Sequence, residues 1–415
     1  MILIWLIFLV SGFRNPTQPI SLSDKNGGSA IRQLIFASTG MIAIAQLFFS
    51  QTMGNLIMLR WQIFGVGLLL LGSVLWSVQP TLTIKRSLIF LFGLVALTTL
   101  VHSCRFPTRF MFRSIIYVCG IAAILSILLH FGLPKHCTVN PARPGLAGIT
   151  NHPNSLAPCL SIGLILSYGW TPISGREAMI RRVLQGGLAI ALIMTQSMTT
   201  LSTTIVGSGI YLFLSANSYR KGSIQILSAT AVLVVLSVGM ATLKSAFFGA
   251  TGRDESLSGR DELWAEVWHH AIQTPILGSG YGAFWTEGKG RELVNTWNPR
   301  QAHHAYLDVF VDVGIIGLAI VLIVFPLSYL IKWSSVCGRP GTPRRAATAA
   351  LYAAVLSYMT TFAFAQSYFF KFDAFPFFVL VWATLIITNR DGNHLVEEFE
   401  GEASPYPSLP SSPVP

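Results

Sequence analysis

SGRDELWAEVWHHAIQTPILGSGYGAFW at residues 258–285, continued by NPRQAHHAYLDVFVDVGIIGL at residues 298–318, is the stretch whose reading decides the fold. It is a long polar interval set among apolar runs, and its second part leads directly into another such run. Over 415 residues the chain is 52% hydrophobic and 11% charged, against about 25% charged in an ordinary soluble domain. Apolar runs near twenty residues long recur through it, which is the length needed to cross a bilayer as a helix. Backbone groups in lipid must be paired internally, and a β-barrel would show short alternating segments instead. The expected fold is therefore all-α: a polytopic transmembrane bundle of about 12 spans, with one large periplasmic loop containing an amphipathic helix.

Working outward from that interval, a short first span at 1–13 is followed by spans near 33–49, 61–76, 87–102, 114–132, 154–170, 183–197, 201–217 and 224–243. Beyond the loop come 304–331, 346–369 and 374–388. The chain thus divides into N-terminal helices over 1–243, a loop over 244–303, C-terminal helices over 304–388 and a Pro/Ser-rich tail over 389–415. Such a tail cannot bury enough apolar surface to fold, so it is expected to be disordered and cytoplasmic.

The net charge of +11 does not indicate nucleic acid. Lys and Arg gather in short clusters between apolar runs, as the positive-inside bias requires. The clusters around Arg105–Arg113, Arg176–Arg182, Arg220–Lys221 and Lys332–Arg345 fall on one side if the spans alternate, so the interval 244–303 faces outward. Five scattered cysteines offer neither a disulfide framework nor a CxxC pair, and behave as small apolar residues.

Within the interval, Leu263, Trp264, Val267, Trp268, Ala271 and Ile272 form a stripe at helical spacing. Ser258 with Asp261 resembles a capping box, and Pro275 marks the end. Two tryptophans on the apolar face suit the headgroup region, although packing on the outer ends of the bundle fits equally. Arg260 then sits at a helix N-terminus, where anions are stabilised. The turn Gly278-Ser279-Gly280-Tyr281-Gly282 lacks the Lys-Ser/Thr and the preceding strand of a phosphate loop, and reads instead as a tight re-entry using positive φ angles.

His303 and His304 stand where the loop becomes a helix, and Asp308 and Asp312 follow on one face at the edge of the bilayer. Carboxylates at that depth mark a polar cavity or site. Asp308 could orient His304, or the acids could simply favour a helix N-terminus. Two HH pairs, at 269–270 and 303–304, match no standard ligand spacing, so no metal and no cofactor are expected. A smaller outward loop carries Arg143 and His152-Pro153-Asn154, with Asn154 as a candidate cap. A polar kink, Gln196-Ser197-Met198-Thr199-Thr200, interrupts the apolar runs on the same side.

These segments together resemble the O-antigen ligase and polymerase superfamily, and within it the exopolysaccharide polymerase branch. The resemblance rests on Gly259-Arg260 with Trp264, on Pro275 to Gly282 continuing as Gly-Ala-Phe-Trp, on Ala302-His303-His304-Ala305-Tyr306-Leu307 with Asp312-x-Gly314, and on His152-Pro153-Asn154. It spans roughly residues 30–390. What it implies is an inverting, metal-independent glycosyltransferase of the bacterial inner membrane, with its active face periplasmic. The implied donor is a glycan on a polyprenyl diphosphate and the acceptor a glycan or lipid hydroxyl. His303 matches the family's base and Arg260 the arginine that holds the diphosphate. Arg143, Asn154, Arg300, His304, Tyr306, Asp308 and Asp312 are further candidates for holding donor or acceptor. Two departures stand out: His304 replaces an asparagine, and Met198 replaces a cation of the polar kink, a loss for which Arg143 or Arg300 is a candidate replacement.

The implied partners are the lipid bilayer, a chain-length regulator and a flippase, with no nucleic acid. Two other readings remain open at the level of sequence. One is a transporter of an anionic solute or lipid, for which broken half-helices would speak. The other is a non-catalytic partner of a polysaccharide assembly complex.

Overall fold

The computed structural model describes residues 30–49, 61–103, 107–132, 138–140, 143–150, 152–216, 260–286, 290–293, 299–327, 343–371 and 374–387. The described helices are α1 (Ala30–Phe49), α2 (Trp61–Gly72), α3 (Pro80–Ser103), α4 (Pro107–Gly132), α5 (Pro153–Ser167), α6 (Gly175–Met194), α7 (Met198–Ala216), α8 (Arg260–Ala271), α9 (Ala305–Leu322), α10 (Pro343–Ala363) and α11 (Phe375–Ile387). Among the described residues four segments are long and apolar enough to cross a membrane: Pro80–Val101, Phe112–Gly132, Met198–Ser215 and Ala305–Phe325. Five shorter apolar helices accompany them. The chain is a multi-pass membrane protein. The expected spans 1–13 and 224–243, the Ser258–Asp261 capping box and the tail from 389 lie outside the described residues.

Two details depart from the sequence reading. A two-stranded antiparallel ribbon, β1 (Thr138–Asn140) with β2 (Arg143–Leu146), interrupts the all-α expectation. Strands this short carry too few residues for a period of two to register. Secondly, α3 begins at Pro80, several residues ahead of the apolar run read at 87–102. Proline suits a first helical turn, and the partly buried Arg86 in this added stretch has a use: its guanidinium donates to Gly282 O.

The core runs between α5, α10 and α11, where Leu160, Ile165, Tyr358, Phe377 and Trp382 are fully enclosed. Gly207 lets α7 approach α10 closely, since a Cβ there would press on Ala354 O and the Tyr358 side chain; small residues serve this purpose where lipid gives no hydrophobic drive to association. Hydroxyls within the bundle turn back on their own helices, as Thr98 does to Leu94 O at 2.6 Å and Thr204 to Thr200 O at 2.6 Å. Large apolar side chains such as Phe48, Leu75, Leu128 and Ile193 point outward, where hydrocarbon rather than water surrounds them.

The glycine turn and α9 are built into one another. Val313 (φ −132°) and Gly314 (φ 66°, ψ −167°) break α9 internally. The carbonyls of Val311 and Asp312 accept from Ser279 N at 2.9 Å and Gly280 N at 2.8 Å, while Ile315 N donates to Pro275 O at 2.8 Å. Main chain from the turn thus takes up the hydrogen bonds that the break releases, as backbone at this depth requires. Gly278, Gly280 and Gly282 all adopt positive φ (67°, 96° and 67°), and a Cβ at Gly280 would overlap Ser77. The turn is also tied to the start of α3. Val78 N donates to Ser279 O at 3.0 Å, Thr83 Oγ1 to Tyr281 O at 3.1 Å, and Trp76 Nε1 to Leu277 O at 2.7 Å.

Candidate functional site

Helix α8 lies against α9 because its stripe divides in two. Leu263, Val267 and Ala271 are buried among Phe284, Trp285, Leu307, Phe310 and Val311, each larger one contributing roughly 1.5–3 kcal/mol. Trp268 and Ile272 stay about half exposed, at 55% and 50%, in line with Ile276 at 60%. The helix therefore does both things its sequence allowed: it packs on the bundle and keeps an apolar outer row. Trp264 faces inward and its Nε1 donates to Ala302 O at 2.8 Å, fixing the backbone immediately before His303.

Arg260 opens α8, and its Nη1 donates to Ala365 O at 3.0 Å. The next residue, Gln366, holds His303, with Oε1 3.1 Å from Nδ1. Consecutive residues of the connection between α10 and α11 thus bring together an arginine and a histidine more than forty residues apart in sequence. His303 itself has φ 54°, a left-handed conformation costing a non-glycine residue roughly 1–2 kcal/mol and found where surrounding structure dictates it. Two amides approach the same Nδ1: Gln366 through its oxygen, and Gln301 through Nε2 at 3.3 Å. We assign the Nδ1 proton to the shorter contact, which leaves Nε2 unprotonated. Burial foremost, then the Arg260 charge, hold the imidazole below the ordinary histidine value, against opposing influences from Gln366 and Asp308. Arg260 is itself drawn down from the usual arginine range by burial.

His304 plays a different part. Its Nδ1 accepts from Leu307 N at 3.2 Å and caps α9, and its backbone N donates to Ser367 Oγ at 3.1 Å. The ring packs edge-on against Trp264 and Phe364, and burial lowers its pKa. Asp308 does not orient His304 as expected. Its Oδ1 accepts instead from Ala302 N at 2.9 Å and Trp285 Nε1 at 2.8 Å, because the backbone ahead of the helix folds over the first turn. Asp312 lies one turn deeper and is buried at the helix break. Asp308 Oδ2 and Asp312 Oδ1 are buried without a hydrogen-bond partner among the described residues.

The remaining candidates fall elsewhere. Tyr306 packs on Phe364 and Phe369 and donates to Thr360 O at 3.4 Å. Arg300 is exposed, two residues ahead of Ala302. Arg143 lies on β2, paired across the ribbon with Asn140. Asn154 is not the cap of α5; His152 is, its Nδ1 accepting from Asn154 N at 3.0 Å. An imidazole nitrogen one residue before Pro153 reaches the second helical N–H, which an asparagine inside the first turn cannot do. Asn154 instead accepts from Ser197 Oγ at 3.0 Å, so the His-Pro-Asn segment and the polar kink form a second polar cluster at which α7 begins with Met198. Among the described residues no three His, Cys, Asp or Glu side chains gather as a metal-ligand group.

Sequence reasoning passed over several polar residues near His303. Lys371 Nζ donates to Gln301 Oε1 at 2.7 Å and lies 3.4 Å from Ser367 O. Gln301, Gln366 and Ser367 belong to no motif in the sequence, and only long-range contacts give them meaning.

Residues 186–322, from the middle of α6 to the end of α9, match the family described as O-antigen ligase. This segment is similar to that family over about a third of the chain. It takes in Arg260, the glycine turn, the histidine pair, Asp308 and Asp312. The chain is also 25% identical over 305 residues, 68% of its length and 67% of the relative's, to the "Exopolysaccharide production protein ExoQ" of Rhizobium meliloti (strain 1021). Family segment and relative agree with the branch that the Gly-Ala-Phe-Trp continuation suggested.

Proposed function

We propose that the chain is an inverting glycosyltransferase of the bacterial inner membrane that polymerises or ligates polyprenyl-diphosphate-linked oligosaccharides on the periplasmic face. The observation carrying this reading is the pair Arg260 and His303, held by adjacent residues Ala365 and Gln366. His303 Nε2 takes the proton from the acceptor hydroxyl as its oxygen bonds to the anomeric carbon. The bond from that carbon to the diphosphate oxygen breaks with inversion, and the polyprenyl diphosphate departs. Charge grows on the leaving group as that bond lengthens, and the guanidinium of Arg260 stabilises it by hydrogen bonds stronger than in the ground state. A low histidine pKa suits a base that must be neutral near pH 7. Donor and acceptor are a lipid-linked glycan and a glycan or lipid hydroxyl, with a flippase and a chain-length regulator as working partners.

The break in α9 is the kind of feature a transporter would use, but its released backbone groups are occupied by the 275–280 main chain and do not line an ion site. That occupation favours a fixed scaffold over a moving half-helix. The test is elongation of lipid-linked repeat units by the purified protein in proteoliposomes, with products resolved on a gel. His303→Ala is expected to lower the rate by about 10²–10⁴, the usual worth of a general base. Wild-type ladders from that variant would remove His303 from the chemistry, and solute uptake without any glycan product would favour transport.

A further inference from the structure

We propose that Lys371 is a second phosphate-binding cation, gripping the donor diphosphate together with Arg260, one cation to each phosphate; this rests on the glycosyltransferase reading above. Lys371 closes the same connection, residues 364–371, whose Ala365 carbonyl holds Arg260 and whose Gln366 holds His303. Its Nζ is steadied by Gln301 Oε1 and by Ser367 O, and Gln301 lies two residues before His303. Arg260 and Lys371 therefore reach the imidazole from separate elements, near enough that each opposes its protonation.

An ammonium carries three donors and a guanidinium five. The hydrogen bonds described above use two of the first and one of the second. Among the described residues no carboxylate forms an ion pair with either cation. Of the nearby acids, Asp308 accepts from Trp285 and Ala302, and Asp312, bonded by the Gly282 N–H, feels the Lys371 charge without an ion-pair contact. Two partly buried cations without ionic partners beside one imidazole are costly to hold apart from an anion. A neutral glycan brings no charge to offset theirs, whereas a diphosphate brings at least two negative charges on adjacent phosphates, one for each cation. A monophosphate brings less charge and a single phosphate for the two cations to share.

The experiment uses the full chain in nanodiscs, titrated with a polyprenyl diphosphate and with the matching monophosphate. A charged hydrogen bond lost at a partly buried site corresponds to a change of about tenfold to a hundredfold. Lys371→Gln is expected to weaken diphosphate binding by that factor and monophosphate binding by less than about threefold, while Lys371→Arg keeps both. Equal weakening for the two lipids would reduce Lys371 to a brace for Gln301, and unchanged diphosphate binding would remove it from the site; in both cases the glycosyltransferase reading stands so long as the wild type elongates glycan. A wild type that binds neither lipid and makes no product overturns that reading itself. On the wild type alone, so that folding of the variant is not at issue, inorganic pyrophosphate should displace the lipid at concentrations where orthophosphate does not. Equal displacement by both overturns the two-cation grip.

Discussion

Replacing Gly314 by alanine tests the join between the glycine turn and α9. At φ 66° and ψ −167° the residue lies in a region open essentially to glycine, and a side chain there costs about 1–3 kcal/mol. A Cβ would also overlap the Ile276 carbonyl, so the 275–277 strand of main chain must move away. That displacement strains the Ile315 N to Pro275 O and Ile316 N to Ile276 O bonds, each worth about 1 kcal/mol. Together the loss is about 3–5 kcal/mol. Gly72→Ala, in contrast, places its Cβ in open space and should be neutral or mildly stabilising. Thermal unfolding in one detergent, followed by tryptophan emission and far-UV circular dichroism, measures both. Elongation by Gly314→Ala should fall with the turn, since the first half of α9 carries Asp308 and follows His303. Equal midpoints for Gly314→Ala and Gly72→Ala, with full elongation, would refute the claim that the break is a designed joint.

Three further outcomes follow from the charges around His303. Removing the Arg260 charge takes away an influence that lowers the histidine pKa, so residual elongation by Arg260→Gln should lose its rate at a higher pH than wild type. Asp308→Asn works with the opposite sign: Asp308 raises the His303 pKa, so the acid limb should move to lower pH. Both are read from initial rates across pH 5 to 8, the range in which histidine titrates. Trp285→Phe removes the 2.8 Å bond to Asp308 and leaves that oxygen one donor short, so unfolding should come easier by about 1–2 kcal/mol with little change in the pH profile.

Much of the site was legible because its parts are local. Arg260 with Trp264, the three glycines of the turn and the histidine pair each fall within a few residues of one another, and helical spacing or turn chemistry announces them. The buried half of α8 could likewise be read from Leu263, Val267 and Ala271. What sequence could not supply was the partner on the far side of the fold. Gln366 and Lys371 follow an apolar helix and look like ordinary loop polarity, yet they hold His303 and Gln301. Arg86 fell just outside the span read at 87–102, whereas it reaches Gly282 from within α3. The break at Val313–Gly314 was hidden by the apolar residues on both sides, which keep the hydropathy of a continuous span while the backbone departs from one. The capping role of His152 escaped because histidine is a rare cap and Asn154 a common one.

The outer row of Trp268, Ile272 and Ile276 has a kinetic consequence. The helix that begins with Arg260 presents an apolar outward side suited to the leaflet, so a donor arriving there by lateral diffusion would meet the site without crossing water. Turnover should then follow the mole fraction of donor among the lipids and not its bulk concentration, and diluting the vesicles at fixed composition should leave the rate per protein unchanged.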